Sequence, residues 1–296
     1  MEQSLVEPAA RKSILPYLAL ASGILCLSLS GLFVRWADAP GPVTSFYRMA
    51  IASVLILPFF VRKQISLGKI QWRWLGLAAL GGAFTVGDHG LWALGLGYTT
   101  VANATLLNYV APLWVALFAW LVWKQRLGKI FWAGLALTFI GMAVVLANDW
   151  IASPHVGKGD LLALASSLFY GAYFLVTQKG RGHLETLSYI WPVVTVAALG
   201  LLVFNLGLGF PLTGYTPTTY VTFLMAALVA QICGYFTVIY ALGHLKASVV
   251  SPTMVLQPVL SALLAVPLAG EPLQLVQILG GLAVVVGIYW VNRGGG

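Results

Sequence analysis

The sequence predicts an all-α integral membrane protein with ten transmembrane helices, arranged as two inverted repeats of five, and with both termini in the cytoplasm. Three observations lead to this prediction: the composition, the placement of lysine and arginine, and an internal repeat. Of the 296 residues, 60% are hydrophobic and 8% are charged, whereas soluble domains carry about 25% charged residues. The mean hydropathy is +0.91. Because the apolar runs are continuous rather than alternating, they indicate helices and not a β-barrel.

Charges, glycines and prolines divide the chain into ten apolar segments long enough to cross a bilayer. The predicted spans are 14–34, 42–61, 74–96, 101–122, 128–147, 160–178, 186–206, 218–241, 247–269 and 272–291. The first span has a basic flank and an apolar core, as secretory signals do. Its apolar run is longer than a usual signal core and more spans follow, so we expect it to be retained.

The lysines and arginines are distributed unevenly between the two sides of the predicted membrane. With the N-terminus inside, thirteen of the 16 lie in inner segments, two (Arg35 and Lys158) lie in outer loops, and Arg48 lies within a span. The net charge of +8 therefore faces the anionic inner leaflet of the cell membrane. Since no nucleic-acid-binding motif accompanies this charge, nucleic acid is not expected as a partner.

An internal repeat divides the chain into two halves. At a shift of 146 residues, glycines and prolines of the first half meet the same residue types in the second: Gly97 and Gly243, Pro112 and Pro258, Gly134 and Gly280, Gly141 and Gly287. Five helices per half is an odd number, so the second half must be inverted in the membrane. Inverted repeats are common in secondary transporters, whose substrate site lies near the midplane between the halves.

These observations define the predicted organisation of the chain. We predict a cytoplasmic N-terminus at 1–13, a first repeat at 14–147 and an outer connecting loop at 148–159. The second repeat follows at 160–291, and a cytoplasmic C-terminus at 292–296 completes the chain.

Three motifs resemble the EamA family of the drug/metabolite transporter superfamily in its ten-helix form. They are FYRMAIAS around Arg48, ALGLGYTTVANATLLNYVAPLW from Ala93, and ALGHLKASVVSPTMVLQPVLSALLAVPLAGEPL from Ala241. The family usually has an acidic residue after the fourth and the ninth helix. Here Gln125 occupies the first of these positions and Glu271 the second. Within the superfamily the chain is most similar to exporters of aromatic and neutral amino acids, which implies export of such substrates.

Polar residues within the predicted spans are the candidate substrate-binding residues, because polar groups in a bilayer must face protein or water. Thr85, Asp88, His89 and Trp92 share one stripe of the third span. The fourth span offers Asn103, Asn108 and Tyr109, which are not all on one face, and the first span has Ser22, Cys26 and Ser30. The remaining candidates are Tyr170, Tyr173, Gln231, Tyr235 and Gln257. For each hydroxyl or amide, hydrogen bonding between helices is the alternative.

Arg48 and Asp88 lie at similar predicted depths. Arg48 is roughly 9 Å and Asp88 roughly 12 Å from the outer ends of their spans, at 1.5 Å per residue. We therefore predict a structural ion pair between them. The alternative is that Asp88 or His89 faces the substrate or carries a proton.

Two sets of residues are predicted to serve movement and packing. Pro112 and Pro258 occupy equivalent positions, where a kink provides either a hinge for alternating access or a static bend. The fifth and tenth spans are poor in polar residues and carry the paired glycines, which predicts a packing scaffold.

The predicted cavity is aromatic and mostly neutral, which suits a zwitterionic amino acid. Lipophilic cations are the main alternative substrates. A channel or an intramembrane enzyme is the alternative class, but one aspartate and one histidine are too few for a usual metal site. We therefore expect a transporter rather than an enzyme, with no cofactor and no metal. The oligomeric state remains open.

Overall fold

The computed structural model describes residues 13–67, 72–99, 101–145, 157–269 and 274–295. Over these residues the fold is all-helical, with no strand. The helices are α1 (Leu15–Ser28), α2 (Ser30–Ala37), α3 (Gly41–Leu67), α4 (Trp72–Gly95), α5 (Val101–Asn108), α6 (Ala111–Leu121), α7 (Lys129–Val145), α8 (Lys158–Arg181), α9 (Thr186–Gly207), α10 (Pro217–Leu242), α11 (Ala247–Thr253), α12 (Leu256–Ala269) and α13 (Leu275–Gly294).

Within the described part of the chain, eight helical stretches are long and apolar enough to cross a membrane. They are Leu15–Val34, Gly41–Leu67, Asn103–Leu121, Lys158–Arg181, Thr186–Gly207, Pro217–Leu242, Ala247–Leu268 and Leu275–Gly294. The third and fifth predicted spans correspond to α4, which contains Asp88 and His89, and to α7, which has 17 residues. The count of ten spans and the cytoplasmic placement of both termini therefore stay predictions.

Several helices are interrupted near their middle. α1 and α2 are separated at Leu29, α5 and α6 at 109–110, and α11 and α12 at 254–255. Pro112 lies in the first turn of α6 and Pro258 is the third residue of α12, where a missing backbone N–H costs no helical bond. The two proline sites thus follow equivalent breaks, while their role as hinges stays a prediction.

α10 is interrupted in a different way. Its segment Ala226–Tyr235 is π-helical, between α-helical turns on either side. π-helical segments are rare and are frequently found at functional sites.

α7 and α13 pack through their glycines. A Cβ atom added at Gly134 would lie 2.6 Å from the Gly287 carbonyl oxygen, and one added at Gly141 would lie 2.7 Å from the Gly280 oxygen. The predicted packing role of these glycines is therefore confirmed. The pairing makes the two helices antiparallel, and the shift of 146 residues converts one pair into the other. Helices that are equivalent in sequence thus run in opposite directions, as inverted repeats require.

The remaining helices enclose one central core. α4 packs against α8 and α9, α3 against α9, and α1 against α10. The core includes fully buried Met49, Phe174 and Tyr189, whereas Val54, Phe59 and Val203 are more than 60% exposed on the outside. An apolar outer surface of this kind is suited to contact with lipid.

Candidate functional site

A cavity of about 140 Å³ lies inside the bundle, between the two halves of the chain. The first half contributes residues from α1 to α5 and the second half contributes residues from α8, α10 and α12. The lining residues are Leu27, Ser30, Val34, Ser45, Arg48, Asp88, His89, Trp92, Asn108, Tyr109, Tyr170, Tyr235 and Gln257. The irregular backbone borders this cavity. The lining residues that lie at or beside the helix breaks or the π-helical segment are Ser30, Tyr109, Tyr235 and Gln257.

Arg48 is buried in the wall of the cavity, with 7% of its surface exposed. Its Nη1 donates to the Ser30 hydroxyl at 2.9 Å, and its Nη2 lies 3.2 Å from Nδ1 and 3.4 Å from Nε2 of His89. A guanidinium only donates hydrogen bonds, so a His89 nitrogen that bonds to it must be the unprotonated one. The side chain of Arg48 therefore links α3 to α2 and α4.

Asp88 points in another direction, toward α5 and α8. The Asn108 amide donates to Asp88 Oδ1 at 2.7 Å and lies 2.8 Å from the Ser166 hydroxyl. The Ser166 hydroxyl in turn donates to the Ala163 carbonyl at 2.7 Å. Asp88 is 7% exposed, so these bonds provide polar partners for a carboxylate at the centre of the bundle.

The predicted direct ion pair between Arg48 and Asp88 requires correction. Within the described chain the two side chains make no contact short enough for a salt bridge. His89 lies between them, with its Nε2 3.9 Å from Asp88 Oδ2. Successive residues of an α-helix diverge by about 100°, and here His89 faces α3 while Asp88 faces α5.

The two halves contribute different chemistry to the cavity. Apart from the tyrosines, the titratable groups among the described residues of its wall are Arg48, Asp88 and His89, and all three come from the first half. The second half contributes Tyr170, Tyr235 and Gln257, which are neutral at physiological pH. At the repeat shift of 146 residues, His89 corresponds to Tyr235, so the same position carries an imidazole in one half and a phenol in the other.

Four of the predicted binding residues lie outside the cavity lining. Thr85 is buried and donates to the Gly81 carbonyl of its own helix at 3.0 Å, and Asn103 is 4% exposed. Tyr173 packs edge-on against Tyr235, with 6.1 Å between ring centres. Gln231 is 2% exposed on the π-helical segment. The other predicted residues, Asp88, His89, Trp92, Tyr170, Tyr235 and Gln257, share the cavity.

Three lining residues were not among the sequence candidates. Leu27 and Val34 flank Ser30 at helical spacing on the first span, and Ser45 lies one turn before Arg48. Leucine and valine in an apolar span carry no distinguishing signal. Ser45 could have been found from its position beside Arg48 on the same helix face.

The cavity lies toward the end of the bundle where α2 ends and α3 begins. At the opposite end, the Ser248 hydroxyl donates to Gln125 Oε1 at 2.9 Å and Lys63 pairs with Glu185 at 2.6 Å. Both contacts join the two halves at that end. Glu271, the acidic counterpart of Gln125, lies outside the described residues.

Comparison with known proteins identifies relatives of similar length and the same fold. The model of the EamA-like transporter family matches residues 14–147 and again 157–293. A riboflavin transporter of Rhizobium johnstonii is 27% identical over 249 residues, covering 80% of this chain and 77% of its own. An uncharacterized transporter of Archaeoglobus fulgidus is 25% identical, covering 83% and 85%.

Two further matches add a second functional name and the fold. A probable amino-acid metabolite efflux pump of Salmonella typhimurium is 27% identical over 177 residues, covering 57% of this chain and 59% of its own. A solved crystal structure has a TM-score of 0.78 at 19% identity, covering 95% of this chain and 97% of the other. At that identity, the likeness concerns the fold alone.

Proposed function

The chain belongs to the EamA-like transporter family, and we propose that it exports aromatic and other neutral amino acids by alternating access through the central cavity. The family and the named relatives are membrane transporters. The protein is therefore a multi-pass membrane transporter and not an enzyme. The substrate, the direction and the mechanism are what we propose.

The observation that carries the proposal is the unequal distribution of charge around the cavity. The first half places Arg48 and Asp88 on the wall, one positive and one negative side chain. The second half faces them with tyrosines and an amide, which can pack against a hydrophobic side chain. An amino acid has the complementary arrangement, because its charged groups are at one end and its side chain is at the other.

The volume of the cavity favours one ring-sized group in this conformation. A protein cavity of about 150 Å³ holds benzene, and this cavity measures about 140 Å³. A complete aromatic amino acid needs more room, so its binding requires the halves to separate locally. The contacts Gln125–Ser248 and Lys63–Glu185 join the halves at one end of the bundle, and in alternating access they would break as the other end closes.

The names of relatives support parts of this proposal. The Salmonella relative is named as an efflux pump for amino-acid metabolites, which agrees with both the substrate class and the direction. The Rhizobium relative is named as a riboflavin transporter, and four aromatic residues line the cavity, so a flat neutral ring system is a second candidate. Lipophilic cations fit less well, because Arg48 places a positive charge in the wall.

The proposal can be tested by counterflow of labelled phenylalanine in liposomes that contain the purified protein. We expect saturable counterflow in the wild type, inhibited by tryptophan and tyrosine. Asp88→Asn and His89→Ala should each reduce it at least tenfold, because both side chains are part of the cavity wall. Asp160→Asn is the matched control, since Asp160 is a buried carboxylate whose Oδ1 accepts from Thr99 at 2.6 Å outside the cavity lining.

Three results would distinguish the candidates. Counterflow of riboflavin without counterflow of phenylalanine would favour the flat neutral substrate. Counterflow of a lipophilic cation alone would favour drug export. Flux that does not saturate with substrate concentration would contradict a carrier mechanism and indicate a channel.

A further inference from the structure

The side chain of Arg48 retains hydrogen-bonding capacity that the protein does not use. A guanidinium has five N–H donors. One on Nη1 is taken by Ser30 and one on Nη2 by His89. Nε is buried, and among the described residues it has no hydrogen-bond partner. Three N–H donors of a buried cation are therefore left over. Leaving them without partners costs free energy, because a buried charged group loses more than a neutral one when its hydrogen bonds are not made.

Asp88, the carboxylate of the cavity wall, does not accept hydrogen bonds from these donors. Asp88 forms no direct ion pair with Arg48 in the described part of the chain, and its Oδ1 accepts from Asn108 at 2.7 Å. Ser30 and His89, the partners that Arg48 does have, are a neutral hydroxyl and a ring nitrogen that accepts. A purely structural arginine would be expected to bond directly to the carboxylate, so this arrangement leaves Arg48 ready for an external anion.

The chemistry of the wall selects among anions. A planar guanidinium can donate two parallel hydrogen bonds to a carboxylate, and Nη1 and Nη2 each retain one N–H group beyond those bonded to Ser30 and His89. Among the described residues that line the cavity, Arg48 is the only lysine or arginine, so a phosphate dianion would be left partly unbalanced. Asp88 already balances the charge of Arg48 across His89. A substrate that is itself neutral overall, with one carboxylate and one ammonium, preserves that balance.

We propose that Arg48 binds the carboxylate of the transported substrate, with Asp88 on the side of its ammonium group, so that the transporter selects α-amino acids over amines and over neutral ring compounds. This inference rests on the proposed function and deepens it. It assigns to Arg48 a role in binding in place of the structural ion pair that the sequence indicates. His89 lies between the two charged side chains and keeps them apart, so that each contacts one end of the substrate.

The test compares three compounds that share a phenyl ring: L-phenylalanine, 3-phenylpropionate, which lacks the ammonium group, and phenethylamine, which lacks the carboxylate. Each competes against labelled phenylalanine in liposomes, and each is also tested for thermal stabilisation of the purified protein in detergent. The variants are Arg48→Lys and Arg48→Gln. Arg62→Gln is the matched control, since it removes the same charge from the exposed end of α3.

We expect 3-phenylpropionate to compete with the wild type and to lose about 10- to 100-fold in potency in Arg48→Lys, because a lysine cannot make the bidentate contact. Phenethylamine should be unaffected by either Arg48 variant, and Arg62→Gln should resemble the wild type for all three compounds. Two results would overturn the binding of the carboxylate by Arg48. One is an equal loss of potency for 3-phenylpropionate and phenethylamine, and the other is an unchanged potency of 3-phenylpropionate in Arg48→Lys.

The readouts separate this inference from the proposed function. If wild-type liposomes do not transport phenylalanine, amino-acid export is wrong, and stabilisation by 3-phenylpropionate in detergent still decides whether Arg48 binds a carboxylate. If phenylalanine is transported and the potency of 3-phenylpropionate does not depend on Arg48, amino-acid export stands. The binding of the carboxylate by Arg48 is then wrong. Should Arg48→Gln fail to fold, the comparison rests on Arg48→Lys and on the wild-type ranking of the three compounds.

Discussion

Replacing Gly287 by alanine should weaken the contact between α7 and α13 that joins the two halves. The added Cβ would lie 2.6 Å from the Thr138 backbone nitrogen and 2.7 Å from the Gly134 carbonyl oxygen. Favourable contacts of carbon need about 3.5 Å, so the helices must separate by nearly 1 Å at this point. Overpacking of this kind costs about 1–3 kcal/mol. The Cβ would also meet the Thr138 hydroxyl. Rotation of that side chain cannot relieve the overlap, since the other two clashing atoms belong to the backbone.

The cost can be measured as thermal stability. Each kcal/mol shifts the melting midpoint by about 2–4 °C in chains somewhat shorter than this one. The midpoint of heat-induced loss of monodisperse protein, measured by size-exclusion chromatography, should therefore fall by roughly 2–12 °C. Gly76→Ala is the control, because a Cβ there would meet nothing within 4 Å and alanine favours the helix by about 1 kcal/mol. A Gly287→Ala protein as stable as Gly76→Ala would refute the close antiparallel packing of the two repeats.

Three other substitutions test the site and its surroundings. Asn108→Leu removes the donor to Asp88 and should cost about 1.5–3 kcal/mol of stability, together with at least tenfold of phenylalanine counterflow. Gln231→Leu replaces a buried oxygen that has no partner in the described chain; stability should be equal or about 1 kcal/mol higher, and a tenfold loss of counterflow would contradict its position outside the cavity. Lys63→Gln breaks a partly exposed ion pair with Glu185. It should change stability by less than about 1 kcal/mol, and by less still at high salt; a larger effect would show that this pair holds the end closed.

The positions of the helices followed from hydropathy and from breaks in the sequence, because bilayer thickness fixes how long an apolar helix must be. The repeat also predicted which glycines pack, since glycine at equivalent positions permits close approach of backbones. The glycine pairs in turn show that α7 and α13 are antiparallel. The number of spans does not follow from length and hydropathy alone, because α4 combines a membrane-length helix with the polar groups of the site.

Depth along the helices predicted Asp88 as the partner of Arg48, whereas the structure places His89 there. Two residues at similar depth meet only if their helices also face each other, and that rotation depends on packing against a third element. Asn108 and Ser166 draw Asp88 toward α5 and α8, while His89 turns toward Arg48. The π-helical segment of α10 is likewise set by tertiary packing, so helical spacing alone did not reveal that Gln231 lies outside the cavity lining.

The most direct test of the central claim is a structure of the protein with bound 4-iodophenylalanine, in which anomalous scattering locates the iodine. If the cavity between the repeats is the substrate site, one strong iodine peak should lie within about 4 Å of Tyr170 or Tyr235, with the carboxylate of the ligand at Arg48. A peak on the outer surface of the bundle, or none in the cavity at saturating ligand, would contradict the assignment of this cavity as the transport site.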